Sequence, residues 1–374
     1  MEIPLSKPDI TDRERNAVQE VLKTSSLSLG KKYIEFQNII AKFVGVKYAV
    51  AVNSGTSGLH LIIRALGIKK GDEVITTPFS FVASANCVLY EGAKPVFVDI
   101  DKNIFNIDVS KIEEKITKKT KAILAVDIFS HPADWDALKK IAKKHKLFLI
   151  EDSAEALGSE YKGRRCGSFG DAGVFAFYPN KQITTGEGGV VLTNNKKIAD
   201  LCRSMANQGR RVKNGNWLEH IRLGYNYRLD EMSAAMGIAQ MKRLTEILAK
   251  RKKVAKWYNE KLKNIKELEV PRVAPDSALS WFVYVVKLSD KFSGKKRDGI
   301  IKEMAKRGIH CSNYFAPIHL QPFYKSAFHY KRGDYPVAEN IGKRTLALPF
   351  FNNLQEKEID FVVESLKEII HGLI

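Results

Sequence analysis

The chain has 374 residues, and its 61 lysines and arginines outnumber its 42 acids, giving a formal charge of +19. That length is too great for one simple core and fits one large domain plus a smaller one. No run of about 18 apolar residues exists, so no membrane span is expected. The four cysteines, Cys87, Cys166, Cys202 and Cys311, have no paired spacing; they read as reduced thiols of a cytoplasmic protein, not as a disulfide set or a metal site. The opening MEIPLSKPDI has no basic-then-apolar leader pattern. The positive charge fits nucleic acid, an anionic small substrate drawn to a cleft, or a lysine-rich solvated surface. Clusters such as Lys139-Lys140, Lys143-Lys144 and Lys250 to Lys253 fall on helix-like segments with acidic neighbours, which favours the solvated surface. No nucleic-acid-binding signature is present, so no nucleic-acid partner is expected.

In chain order, residues 1–10 read as an extended arm. Thr11 followed by Glu14 is a capping-box signal for a helix over 13–23. A second helix is predicted over 33–43. Strands are predicted at 48–52, 73–76, 95–98, 121–126, 147–150 and 173–177, with helices at 55–66, 79–90 and 133–145 between them. This alternation argues for a mostly parallel, doubly wound α/β sheet. Asp230 opens a long helical stretch to about Leu262. Beyond Asn264 the pattern changes: 281–288 reads as an antiparallel strand, and 297–307, 337–348 and 355–370 as helices. The chain therefore divides into a large domain, 1–263, and a small C-terminal α/β domain, 264–374.

Asp152 follows the apolar run 147–150, and Lys181 lies in a Pro-, Asn-, Thr- and Gly-rich segment after the run 173–177. In an open parallel sheet, ligands bind outside the carboxyl ends of the strands. Alone, each residue reads as a helix-opening acid or a surface lysine. Together they suggest pyridoxal phosphate (PLP), which needs a lysine amine for its Schiff base and a carboxylate beside its pyridine nitrogen. The Asn53 to Gly58 turn, between a strand and a helix, offers backbone N–H groups for a phosphate.

The runs 151–158 (EDSAEALG), 167–171 (GSFGD) and 180–189 (NKQITTGEGG) resemble the DegT/DnrJ/EryC1/StrS family of sugar aminotransferases, PLP enzymes of fold type I. The resemblance extends over nearly the whole chain. It implies Lys181 as the Schiff-base lysine and Asp152 as the carboxylate at the pyridine nitrogen. It implies Gly55 and Thr56 at the phosphate, Phe81 stacked on the ring, and Glu155 and Asn180 beside the cofactor. It also implies a homodimer, with Asn226 reaching the neighbour's phosphate and Arg228 close to that site. Tyr314 and His319 belong to a stretch that borders the substrate site in the family; for His319 a structural role stands equally beside a ligand contact. His131 reads as a satisfied structural histidine.

Two positions depart from the family pattern: Ser130, where glycine is commoner, and Ala176, where a serine usually binds the phosphate. Glu155 resembles the branch that makes 4-amino sugars on nucleotide carriers, such as perosamine synthases. The implied reaction moves an amino group from an amino acid, by analogy L-glutamate, to C4 of a nucleotide-linked 4-keto-6-deoxy sugar. Amination at C3 and a PLP-binding regulator remain the alternatives. The related sugar dehydratases lack the lysine, so Lys181 argues against that activity.

Overall fold

The structure, a computed structural model, describes residues 2–211 and 218–372. The alternating strands and helices build a seven-stranded sheet. Its order is Tyr48–Val52, Gly189–Thr193, Ala172–Ala176, Phe148–Asp152, Thr120–Val126, Glu73–Thr76, Lys94–Phe97. Gly189–Thr193 is antiparallel to both neighbours, and the other pairings are parallel. Successive strand residues face opposite sides. Val50, Val52, Leu124, Ile150, Val174 and Val191 pack with the helix Gly55–Ala65. The alternate residues Ala51, Phe175, Val190 and Leu192 pack with the helices Lys31–Val44 and Glu231–Lys242. Both faces are covered, which is why these strands read as continuous apolar runs. Val52, Thr76, Val126, Asp152 and Ala176 end strands at one edge of the sheet.

A second, three-stranded antiparallel sheet places Tyr284–Leu288 between Leu268–Glu269 and Thr345–Leu348. Its core includes Val254, Tyr258 and Leu262 from the helix Leu244–Leu262, and also Ile3. The arm thus crosses to this core, beside the sheet: Ile3 N–H donates to the Gly308 carbonyl at 2.8 Å, and His310 N–H donates to the Ile3 carbonyl at 3.0 Å.

The structure revises three predicted elements. The helix expected over 79–90 spans only Ala83–Leu89, because Ser80, Phe81 and Val82 form a loop at the sheet edge that borders cavities. The stretch from Asp230 is two helices, Glu231–Lys242 and Leu244–Leu262. Between them the buried Arg243 pairs with Asp9 and Glu14 at 3.1 Å each. The expected helix 337–348 ends at Arg344 and becomes the strand Thr345–Leu348. That short run is buried throughout, and an apolar run of this length has no periodicity to separate helix from strand. The capping box is present: Thr11 N–H donates to Glu14 Oε2 at 2.7 Å. In the basic clusters Lys140, Lys143, Lys144, Lys252 and Lys253 are exposed, as the solvated-surface reading expects, whereas Lys139 and Lys250 are half-buried and Arg251 is buried among backbone carbonyls.

Candidate active site

The motif 151–171 is held together by one buried carboxylate. Glu151 Oε2 accepts the Phe169 N–H at 2.6 Å, and Oε1 accepts the Gly167 N–H and, at 2.9 Å, the Ser153 hydroxyl. Ser153 Oγ also lies 2.5 Å from Asp127 Oδ2, so its one proton bridges two carboxyl groups. Burial pushes both the Asp127 and Glu151 carboxyls above their ordinary values. Asp127, Glu151 and Cys166 lie close enough to share an ion, but the carboxylates are occupied by these N–H and O–H donors. They shape the loop that follows the central strand.

Asp152, the last residue of that strand, turns into a cavity of about 530 Å³. Gly55, Thr56, Phe81, Asp152, Glu155, Asn180, Lys181 and Tyr314 all border it. Asp152 is buried; Ser84 Oγ donates to its Oδ2 at 2.7 Å and Ala154 N–H to its Oδ1 at 3.2 Å. Burial pushes its carboxyl up, while those two donors and the charge of Lys181 pull it back. The Lys181 side chain is 13 % exposed, and its Nζ lies 3.5 Å from Glu155 Oε1. The amine also sits 3.9 Å from the centroid of the Phe282 ring. Burial pushes the Lys181 amine down from its ordinary value, and Glu155 and Asp152 oppose that shift. Glu155 is itself pushed up by burial, and Lys181 and the Phe129 N–H, which donates to its Oε2 at 2.9 Å, counter it.

Gly55 and Thr56 open the helix Gly55–Ala65, whose N-cap Ser54 accepts the Ser57 N–H at 3.0 Å. The first-turn N–H groups of a helix lack acceptors within it. A Cβ at Gly55 would meet Ala176 Cβ at 2.8 Å, so glycine lets the helix start close to the strand end. Phe81 is 61 % exposed, an aromatic ring left open at the cavity. Tyr314 stacks on Phe315 at 4.9 Å between ring centroids.

The structure does not bring His319 to this cavity. It is fully buried, with Nε2 3.1 Å from Glu339 Oε1 and its ring 4.7 Å from that of Tyr335. Its environment is that of a packing residue, which favours the structural of the two readings over the substrate contact. His131 Nε2 accepts the Ala274 N–H at 3.1 Å and its Nδ1 donates to the Pro132 carbonyl at 2.8 Å. Asn226 is exposed and outside the cavity of its own chain, and Arg228 donates to Asn207 Oδ1 at 3.1 Å. Sequence reasoning missed Ser84 and Phe282. A hydroxyl in a run of small residues and one aromatic in a strand approach carry no local signal of a contact made 68 or 101 residues away.

A family model described as the DegT/DnrJ/EryC1/StrS aminotransferase family matches residues 8–367. The chain belongs to that family. It is a sugar aminotransferase, and the aminotransferases of this family are PLP-dependent. Among its relatives, the GDP-perosamine synthase of Caulobacter vibrioides is 39 % identical over 98 % of both chains. The solved structure of Helicobacter pylori PseC, an aminotransferase involved in the biosynthesis of pseudoaminic acid, is 31 % identical with a TM-score of 0.93, over 100 % of both chains. The PLP form of the putative sugar aminotransferase Spr1654 from Streptococcus pneumoniae is 27 % identical with a TM-score of 0.95, also over 100 % of both chains.

Proposed function

We propose that this enzyme moves an amino group from an amino acid, by analogy L-glutamate, to C4 of a nucleotide-linked 4-keto-6-deoxy hexose. The observation that carries this reading is a lysine amine, a buried carboxylate and a helix N-terminus bordering one cavity. The residues present fit PLP. Asn180 Oδ1 is buried there without a partner, the open Phe81 ring suits a planar pyridine, and the donor set matches an anionic, aldehyde-bearing group. PLP, when bound, supplies an electron sink for the donor's α-carbon.

Lys181 would hold the cofactor and, once its amine is released, move a proton at the α-carbon. Asp152 would keep the pyridine nitrogen protonated, and Gly55 and Thr56 would take the phosphate through N–H and hydroxyl groups. Ala176 offers no hydroxyl, so more of that task falls to the 53–58 loop. The exposed position of Asn226 suits a role in a neighbouring subunit's site, and with Arg228 supports a homodimer with shared sites. We assign Tyr314 to the substrate side. We also divide the chain at residues 263 and 264, with the arm docked on the second unit.

Support for C4 comes from Glu155 and from the relation to a perosamine synthase. The test is a spectral titration of the full chain with PLP, then L-glutamate, then a panel of nucleotide keto sugars. Glutamate should remove the visible absorbance of the lysine-linked cofactor, and a 4-keto sugar should restore it. Restoration only by 3-keto sugars would overturn the position, and no visible band with PLP would overturn the aminotransferase reading of this site.

Asp152 depends on Ser84. A hydrogen bond to a charged group contributes about 1.5 kcal/mol, so Ser84→Ala is expected to weaken PLP binding about tenfold, measured by fluorescence titration. Unchanged affinity would show that Ser84 does not support the carboxylate.

A further inference from the structure

Ser130 is one of the positions that depart from the family pattern, and its backbone is unusual. Its φ is +72°, and that of Phe129 before it is +53°. The left-handed region is unfavourable for residues with a Cβ and open to glycine. A serine kept there needs a compensating contact, and strain of this kind gathers around functional sites.

The contact is to Phe282. The Phe282 N–H donates to Ser130 Oγ at 2.6 Å. The carbonyls of Trp281 and Phe282 accept from Arg251 Nε at 2.7 Å and Nη2 at 2.8 Å. The short segment that enters the second sheet is therefore gripped on its N–H and on its carbonyls. Its ring forms the wall against which the Lys181 amine rests, 3.9 Å from the centroid. The grip extends to the catalytic loop: Gln182, next to Lys181, donates to Ser280 Oγ at 2.7 Å and to the Glu155 carbonyl at 2.6 Å. Ser130, Gln182, Ser280 and Phe282 are all buried. A glycine at 130 would relax the backbone and have nothing to offer the Phe282 N–H.

We propose that Ser130 is a positioning residue that holds the Phe282 ring against the Lys181 amine through its hydrogen bond to the Phe282 N–H. The ring face favours the charged amine. The other titratable groups around the amine are Glu155 and Asp152, with Tyr178, Glu187 and Tyr314 also bordering the cavity. The inference rests on Lys181 being the functional amine, but its test does not depend on transamination.

The experiment is the pH dependence of Lys181 acetylation by acetic anhydride in the full-length, cofactor-free chain, read by mass spectrometry. Phe282→Leu keeps apolar bulk and removes the ring, and should lower the midpoint by roughly 0.5 to 1.5 pH units. Ser130→Gly and Ser130→Ala should each lower it by a smaller amount. Either combined with Phe282→Leu should add less than its separate effect, as expected for groups acting through one contact. A midpoint unchanged by Phe282→Leu would overturn the role of the ring. One moved by Phe282→Leu but unmoved by both Ser130 variants, whatever their thermal stability, would overturn the role of Ser130.

Discussion

Lys181→Ala is expected to lower turnover by roughly 10³-fold or more, because one side chain both anchors the cofactor and moves the proton. The variant should fold normally. Lys181 makes its contacts to Glu155 and Phe282 at the cavity wall, and other parts of the core do not depend on it. Added PLP should then give the spectrum of the free cofactor. Turnover within tenfold of the parent enzyme, with the visible band retained, would remove Lys181 from the mechanism.

The second large effect is on stability. Arg243→Met should cost about 3 kcal/mol at neutral pH, the low end for breaking a buried ion pair. The low end applies because Asp9 keeps Lys250 and Asn352 as partners, and Glu14 keeps Thr11 and Gln240. Burial alone would raise both carboxyls, but the hydrogen bonds from Arg243 and these partners outweigh it and hold both below their ordinary values. A carboxyl depressed in the fold contributes stability above its unfolded value, about 4, and loses that contribution as pH falls through its folded value. The gap between variant and parent should therefore be widest near neutrality and shrink in acid. Urea unfolding midpoints across that range would test it; a gap constant with pH would mean that Arg243 acts by packing.

Six strands of the large sheet were legible because each is a short apolar run closed by a turn signal, and burial on both faces leaves such runs uninterrupted; the seventh, Gly189–Thr193, was not predicted, because its run continues directly from the glycine-rich end of the Lys181 motif. Asp152 and Lys181 were legible for a related reason: a polar residue placed just past a buried strand stands at the sheet's ligand-binding edge. Less visible was everything that depends on a distant partner. Arg243 reads as one more basic residue on a helix until Asp9 and Glu14 are found beneath it. Thr345–Leu348 takes its form from pairing with Tyr284–Leu288. His319 lies in a stretch that the family resemblance places beside the substrate, yet its own ring turns to Glu339. Phe282 belongs to the second sheet by chain position and to the Lys181 site by contact.

The crossing of the arm has a consequence for how the molecule is made. Ile3 and Asp9 are made well before their partners: Ile3 docks on Gly308 and His310, and Asp9 on Arg243, Lys250 and Asn352. Asn352 and Asp9 are 343 positions apart. At about 5–20 residues per second, that gap is roughly 20 to 70 seconds of synthesis. Until Arg243 is made the Asp9 carboxylate has no guanidinium, and until residues 308–310 follow Ile3 has no backbone partner. The large sheet can form around its local crossovers while the arm waits, so docking of residues 3–9 is a late step, and one that fastens an earlier-made segment to a later-made unit.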